Sequence, residues 1–82
     1  MNSESLERDL VEYMAKSLVD DPSQVEVSEV EGEQSAILEL RVAPADIGKV
    51  IGKQGRIAKA MRTVLSAASV RSGRRAVLEI LD

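Results

Sequence analysis

The most informative stretch of this 82-residue sequence is Ile47-Gly48-Lys49-Val50-Ile51-Gly52-Lys53-Gln54-Gly55-Arg56. Asp46 is placed to cap a short helix whose apolar residues are Ile47, Val50 and Ile51. The glycines at both ends of residues 52–55 allow a sharp turn and leave no Cβ to hold a ligand away. A longer helix over residues 56–70 begins directly after the turn. The sequence therefore predicts two helices joined by a four-residue loop.

The loop has the chemistry of a phosphate-binding site. It opens into the N-terminus of the longer helix, where unpaired N–H groups and the positive end of the helix dipole favour an anion. Lys53 and Arg56 add positive charges there, and such a loop can hold a sugar-phosphate backbone. The alternative is a helix–helix turn that merely needs glycine. A Walker A loop is excluded by the spacing, and a dinucleotide fingerprint is excluded because a helix precedes the loop.

The remaining sequence predicts one further helix and three strands. The first helix spans Ser3 to Val19, with Ser3 or Ser5 as its N-cap, and its apolar stripe consists of Leu6, Leu10, Tyr13, Met14 and Leu18. Alternating apolar residues predict strands over residues 25–30, 36–42 and 76–81, with a hairpin turn at residues 31–34.

The resulting order, α-β-β-α-α-β, predicts an α+β fold in a single domain, residues 1–82. The second and third strands are joined through two helices, and a right-handed crossover makes them parallel neighbours. We therefore expect a three-stranded mixed sheet with all three helices on one apolar face. A chain of this length buries roughly 60–65% of its unfolded surface, so the core is thin.

Charge is divided unevenly along the chain. The formal net charge is −3, but residues 1–46 carry three bases against twelve acids, a charge of −9. Residues 47–82 carry eight bases against two acids, a charge of +6, and no acid lies between Ile47 and Leu78. This polarity indicates a basic face that meets a polyanion. The alternative is a solvated basic helix face.

Composition argues against an enzyme, a metal site and a membrane protein. The sequence has no His and no Cys, which removes the commonest general base and the thiolate metal ligands. No catalytic residue, cofactor or metal is therefore expected. The N-terminus has no apolar signal segment, and no apolar run approaches the ~20 residues that span a membrane, so we expect a soluble cytoplasmic protein.

The stretch over residues 47–56 resembles the signature of KH domains, and the order of elements resembles their type II, bacterial form. The whole chain, including its ending over residues 76–81, is similar to the KhpA family of small bacterial KH proteins. The resemblance implies a cytoplasmic RNA-binding protein, proposed as an RNA chaperone, which pairs with itself or with a larger KH-domain partner, KhpB. It also implies effects on cell shape and cell wall biogenesis in some bacteria.

By position, the resemblance implies a set of RNA-binding residues. The loop that holds a phosphate of single-stranded RNA is Gly52, Lys53, Gln54 and Gly55, with Ile51 and Arg56 beside it. In addition to these residues, Lys49 and Lys59 are expected to bind RNA. KH domains usually place a large aliphatic residue three positions after the second glycine. That position is Ala58 here, and the aliphatic residue is Ile57, which implies a shallower groove floor.

The longer helix carries two adjoining apolar stripes. The stripe expected against the sheet is Ala58, Met61, Leu65 and Ala68, and the second stripe, of small residues, is Ala60, Val64 and Ala67. The second stripe is either a wider core face or the surface of a helix–helix dimer.

Other residues have two interpretations each. Lys59 and Arg62 either extend the row of positive charges that contacts RNA phosphates or are simply solvated. For Arg71, Arg74 and Arg75, the alternatives are contact with RNA or a favourable interaction with the negative end of the helix dipole. Tyr13, the single aromatic residue, is expected to be buried. RNA recognition without stacking implies modest affinity and low sequence specificity. The alternative function is a protein-interaction subunit whose KH fold serves dimerisation.

Overall fold

The computed structural model describes residues 5–82 and confirms the predicted order of elements. Within these residues the helices are α1 (Leu6–Leu18), α2 (Ile47–Ile51) and α3 (Arg56–Ser72), and the strands are β1 (Glu26–Glu31), β2 (Ser35–Arg41) and β3 (Arg75–Ile80). Short 3-10 turns lie at Pro22–Gln24, Pro44–Asp46 and Lys53–Gly55. α3 is two residues longer than predicted and ends at Gly73, which has a φ of 76°.

The sheet is mixed, as predicted, with the strand order β1-β2-β3. β1 and β2 are antiparallel because a short turn joins them, and β2 and β3 are parallel because α2 and α3 form the crossover between them. The central strand β2 alternates between buried and half-buried residues, with Ala36, Leu38 and Leu40 inside. Leu38 and Leu40 form the core together with Val11, Val50, Met61 and Leu65 of the helices.

α1 turns a different side to the core from the one predicted. Three residues of the predicted stripe, Leu6, Tyr13 and Leu18, are 43%, 73% and 36% exposed. The buried residues are instead Glu7, Val11 and Ala15, which follow one another at i, i+4 and i+8. The expectation that Tyr13 is buried is therefore wrong.

An ion-pair cluster around Arg74 explains this rotation. The guanidinium of Arg74 lies 3.2 Å from Glu7, 2.8 Å from Glu29 and 2.9 Å from Glu31, and the Ser72 hydroxyl donates a hydrogen bond to the Glu7 carboxylate. These partners compensate the burial of the Glu7 carboxylate, and with Glu7 facing inward the residues one and two turns later, Val11 and Ala15, also face the core. Of the three arginines considered for RNA contact, Arg74 thus connects the turn between α3 and β3 to α1 and β1.

The cluster keeps Glu7 ionised. Burial alone would raise the pKa of Glu7, but hydrogen bonds from Ser72, from its own backbone N–H and from Arg74 outweigh this, and the pKa lies below its ordinary value. Hydrogen bonding to Glu31, then to Glu7 and Glu29, raises the pKa of Arg74 against the opposing effect of burial.

The predicted N-cap residues differ in whether they cap their helices. Ser5 is the N-cap of α1, as predicted, because its Oγ accepts the N–H of Arg8 at 3.0 Å, whereas Ser3 and the predicted start of the helix there lie outside the described residues. Asp46 occupies the N-cap position of α2 but does not cap it. Its buried Oδ2 instead accepts the N–H of Asp21 at 3.0 Å, which ties the segment after α1 to the start of α2.

Candidate nucleic-acid interface

The loop between α2 and α3 turns through three residues with positive φ. Gly52 has a φ of 78°, Gln54 of 58° and Gly55 of 75°, a region that residues other than glycine rarely adopt. At Gly52 space also excludes a side chain, because an added Cβ would lie 2.5 Å from Ile57 Cγ1. At Gly55 nothing lies within 4 Å of the Cβ position. The first glycine is therefore required by backbone and packing, and the second by backbone alone.

The first turn of α3 is open to an anion. No side chain caps it, and it contains no acid, so N–H groups of this turn lack side-chain acceptors. The residues at this end are instead cationic, Lys53 and Arg56. Such placement opposes the ordinary preference, since the N-terminal end of a helix dipole attracts acids and repels bases. A bound anion would supply the missing negative charge.

The two loop cations are held differently. The Nη2 of Arg56 donates to Gln54 Oε1 at 3.2 Å, which joins the two side chains across the loop. Lys53 is exposed, and no acid of residues 5–82 forms an ion pair with it. Ile51, 37% exposed, presents an aliphatic side chain beside the loop. The predicted residues 51–56 thus form one exposed, basic surface.

Lys49, also predicted to bind RNA, is engaged elsewhere. Its ammonium lies 3.3 Å from Asp20 Oδ2 and 3.6 Å from Asp46 Oδ1. Hydrogen bonding to Asp20, followed by the charges of both carboxylates, raises the pKa of Lys49. Its charge is therefore partly neutralised by these two carboxylates.

One flank of α3 extends the basic surface toward β3. Lys59, Arg62, Thr63 and Ser66 lie along this flank together with Ala67 and Val70. Arg62 also ties α3 to the sheet, because its Nη2 and Nε donate to the carbonyl oxygen of Leu78 at 3.2 and 3.4 Å. Ala58 is 4% exposed and belongs to the buried side of α3. Arg71 and Arg75 are exposed.

The other flank of α3 faces α1 across an apolar groove. Ala60, Val64 and Ala67 are exposed, so the interpretation of this stripe as a wider core face is wrong. Ala60 and Val64 lie on this flank, whereas Ala67 lies on the basic flank with Val70. The groove, which we call the α1–α3 groove, has a volume of about 400 Å³ and is lined by Tyr13, Met14, Ser17, Leu18, Arg56, Ile57, Ala60, Met61 and Val64. The helical periodicity of α1 predicts Tyr13 and Leu18 in the core, so their place on the surface could not be expected from the sequence.

Residues 5–82 contain neither a metal site nor a membrane span. No cluster of acids in this range has the arrangement needed for a metal ion. None of the described helices is both long and apolar enough to cross a bilayer.

The sequence matches a known protein family. The family model described as KhpA/KhpB, KH domain, matches residues 8–80. RNA-binding protein KhpA of Clostridium acetobutylicum is 66% identical over 74 residues, which cover 90% of this chain and 99% of that protein. RNA-binding protein KhpA of Aquifex aeolicus is 57% identical over 92% of this chain and 95% of its own length. The same-named protein of Treponema pallidum is 53% identical over 95% and 98%.

The fold also occurs within a larger solved protein. The crystal structure of an Aquifex aeolicus Era variant bound to GDP.AlF4- superposes on 92% of this chain with a TM-score of 0.64 and 22% sequence identity. The match covers 29% of the Era chain. At this identity the likeness concerns the fold alone.

Proposed function

The chain belongs to the KhpA/KhpB KH-domain family, and we propose that it binds single-stranded RNA by holding phosphates at the loop Gly52–Gly55. The observation that carries this proposal is the exposed Lys53, which forms no ion pair with any acid of residues 5–82. It lies at the N-terminus of α3, where no side chain of these residues caps the helix and the first turn contains no acid. A phosphate placed there meets full positive charges and the N–H groups of the helix end together. The names of the relatives, RNA-binding protein KhpA, support RNA as the polyanion.

The path of the strand beyond the loop follows the basic flank of α3. Lys59 and Arg62 continue the positive charge from Arg56 along the helix, because residues three apart lie on one side. Arg62 is tethered to Leu78, so its charge is fixed between α3 and the edge strand β3. Tyr13 lies in the α1–α3 groove, on the opposite flank, which leaves the proposed path without a stacking aromatic. Binding is therefore modest in affinity and low in sequence specificity.

The protein acts by binding and not by catalysis. Its sequence offers no His or Cys, and the loop is surrounded by bases. The family resemblance supports a role as a cytoplasmic RNA chaperone, alone or with a KhpB-like partner, in processes such as cell shape and cell wall biogenesis.

Self-association through the α1–α3 groove is the second part of the proposal. Val64 is 45% and Tyr13 73% exposed, and the exposed alanines beside Val64 allow a second helix to approach closely. α1 contributes an amphipathic stripe that the monomer leaves uncovered, and a small domain gains stability when such a surface is buried. A second copy suits this groove, because an isologous contact buries Ala60 and Val64 of both copies at once. This groove also favours the alternative function, an interaction subunit.

Salt dependence tests RNA binding directly. If the loop and its neighbours neutralise two or three phosphates, log affinity falls against log salt with a slope of about −1.5 to −2, from ~0.7 per phosphate on single strands. The affinity of a fluorescent single-stranded oligonucleotide is measured at several salt concentrations, with a duplex of the same sequence as the comparison. Single strands should bind more tightly, and absence of binding at low salt would remove the proposal.

A further inference from the structure

An apolar row crosses all three strands on the face of the sheet that turns away from the helices. Val30 pairs with Ile37, and Ile37 with Val77, so the three side chains lie side by side on one face. Val30 is 53% and Val77 38% exposed. The three helices pack on the opposite face, against residues such as Leu38 and Leu78.

Charged residues flank this row. On β3, Arg75 lies two residues before Val77 and Glu79 two residues after it, so all three point to the same face. Glu79 also lies directly beside Glu39 of β2, and like charges at paired positions repel each other. Within the described residues, none of these three charged side chains takes part in an ion pair.

We propose that this face binds the same face of a second copy of the chain, in a contact separate from the α1–α3 groove. Sheets pack face to face with their strands nearly aligned. A two-fold axis along the apolar row places Val77 against Val77 of the second copy and Arg75 against Glu79 of the second copy. Because an isologous interface makes each contact twice, both copies gain the same ion pair.

The charges select this arrangement over its alternative. A two-fold axis parallel to the strands would also stack the apolar rows, but it would bring Glu39 against Glu39 of the second copy. The axis along the row instead places Glu39 near Ser35 of the second copy, since Ser35 is the neighbour of Arg75 in the register. The repulsion between Glu39 and Glu79 within one copy is then relieved by Arg75 of the other.

The contact is weak, because the apolar row contributes only three side chains from each copy, and a stable dimer interface buries many more. Its effect appears where copies are concentrated, as when several occupy one RNA strand, because tethering raises the effective concentration. The binding of several copies to one RNA strand rests on the proposed function, whereas the contact between the two sheet faces does not.

The test begins with Val64→Arg, which removes association through the α1–α3 groove. At millimolar concentration, the methyl resonances of Val30, Ile37 and Val77 should shift with protein concentration, and sedimentation should show reversible association. Arg75→Glu or Glu79→Arg, added singly, should weaken this association at least tenfold. The double reversal Arg75→Glu with Glu79→Arg should restore it. Arg71→Glu, at an exposed position of α3, changes the charge by the same amount as Arg75→Glu, and this control should have no effect.

Concentration-independent methyl shifts, or equal association in the single reversals, would overturn the proposal. If Val64→Arg still dimerises at micromolar concentration, the interface in the α1–α3 groove is wrong, and the reversals are made in the unmodified chain instead. Loss of association there with either single reversal, and its return in the double reversal, supports the sheet contact. If association persists in both single reversals and in the double reversal, the proposed sheet contact is overturned. Circular dichroism confirms that each variant is folded.

Discussion

Ile57 fills the space that a side chain at Gly52 would need. The Cβ of any residue at position 52 would lie 2.5 Å from Ile57 Cγ1 and 2.9 Å from its backbone nitrogen. The first turn of α3 therefore packs directly on the loop that precedes it. This contact fixes the direction of the N–H groups to which the phosphate is proposed to bind.

The two loop glycines should respond differently to substitution. Gly52→Ala meets both a positive φ and the collision with Ile57, and we expect a loss of about 2–3 kcal/mol in the free energy of unfolding. Gly55→Ala meets only the positive φ, with open space around it, and should lose about 1 kcal/mol. Urea unfolding measures both. Equal losses would mean that Ile57 moves away without cost.

Replacement of Arg74 should cause a loss of stability that depends on pH. Glu7 has a lowered pKa in the folded protein, so it stabilises the fold above its unfolded pKa of about 4.3, and this contribution is lost as the pH falls through the folded value. In Arg74→Met the buried Glu7 loses its cation, and the unfolding free energy at neutral pH should fall by about 3 kcal/mol.

The pH dependence of the unfolding free energy distinguishes the loss of the Arg74–Glu7 ion pair from a simple packing defect. Without Arg74, the hydrogen bonds from Ser72 and from the backbone N–H of Glu7 remain, but the cation that helps to lower the pKa of Glu7 is lost, so this pKa should be higher than in the wild-type chain. The stability deficit of the variant relative to the wild-type chain should therefore shrink as the pH falls and Glu7 is protonated in both. Arg75→Met, at an exposed position, is the matched control and should behave as wild type. A pH-independent deficit in Arg74→Met would contradict the role given to Glu7.

Substitutions in the α1–α3 groove should produce a folded monomer. Val64→Arg places an unpaired charge in the dimer interface, and loss of a partner from a buried ion pair alone costs about 3–5 kcal/mol. Tyr13→Ala removes a large anchor and should weaken the dimer by about 2 kcal/mol, roughly thirtyfold. Sedimentation at micromolar concentration measures both, and the fluorescence of Tyr13, the single aromatic residue, reports its burial.

Val70→Arg is the control for these groove variants. Val70 is 80% exposed and does not line the α1–α3 groove, so its substitution should leave association through that groove unchanged. A folded Val64→Arg protein that remains dimeric would place the interface elsewhere.

The two lysines predicted for RNA binding should contribute unequally. Lys53 forms no ion pair within the described chain, whereas Lys49 is held by Asp20 and Asp46. Lys53→Ala should therefore lower the RNA affinity several-fold and reduce the salt slope by about 0.7, and Lys49→Ala should change both less. A larger effect of Lys49→Ala would show that RNA displaces its carboxylate partners.

The fold could be predicted because local signals agreed. The alternation along β2 and the glycine loop before α3 are short-range patterns, and the crossover between β2 and β3 allows one handedness. The face that α1 turns to the core could not be predicted, because α1 carries two apolar stripes. The choice between them depends on Glu7 meeting Arg74, 67 residues away, which periodicity does not contain.

Only part of the candidate site could likewise be predicted from the sequence. The loop Gly52–Gly55 is contiguous in the sequence, so its glycines and cations were visible at once. The engagement of Lys49 with Asp20 and the contribution of Tyr13 to the α1–α3 groove depend on tertiary contacts. Neither has a signature at the level of sequence spacing.

RNA binding by the double variant Lys53→Asp with Gln54→Asp tests the central claim most directly. Two carboxylates at the N-terminus of α3 repel a phosphate and occupy its place, while an exposed loop leaves the unfolding free energy within about 0.5 kcal/mol of wild type. The control is Arg75→Asp with Gln34→Asp, an identical charge change at exposed residues near the other end of α3, measured at low protein concentration. We predict that single-stranded RNA binding is abolished in the loop variant and retained in the control. Unchanged affinity in a folded loop variant would contradict the account, since RNA would then bind elsewhere.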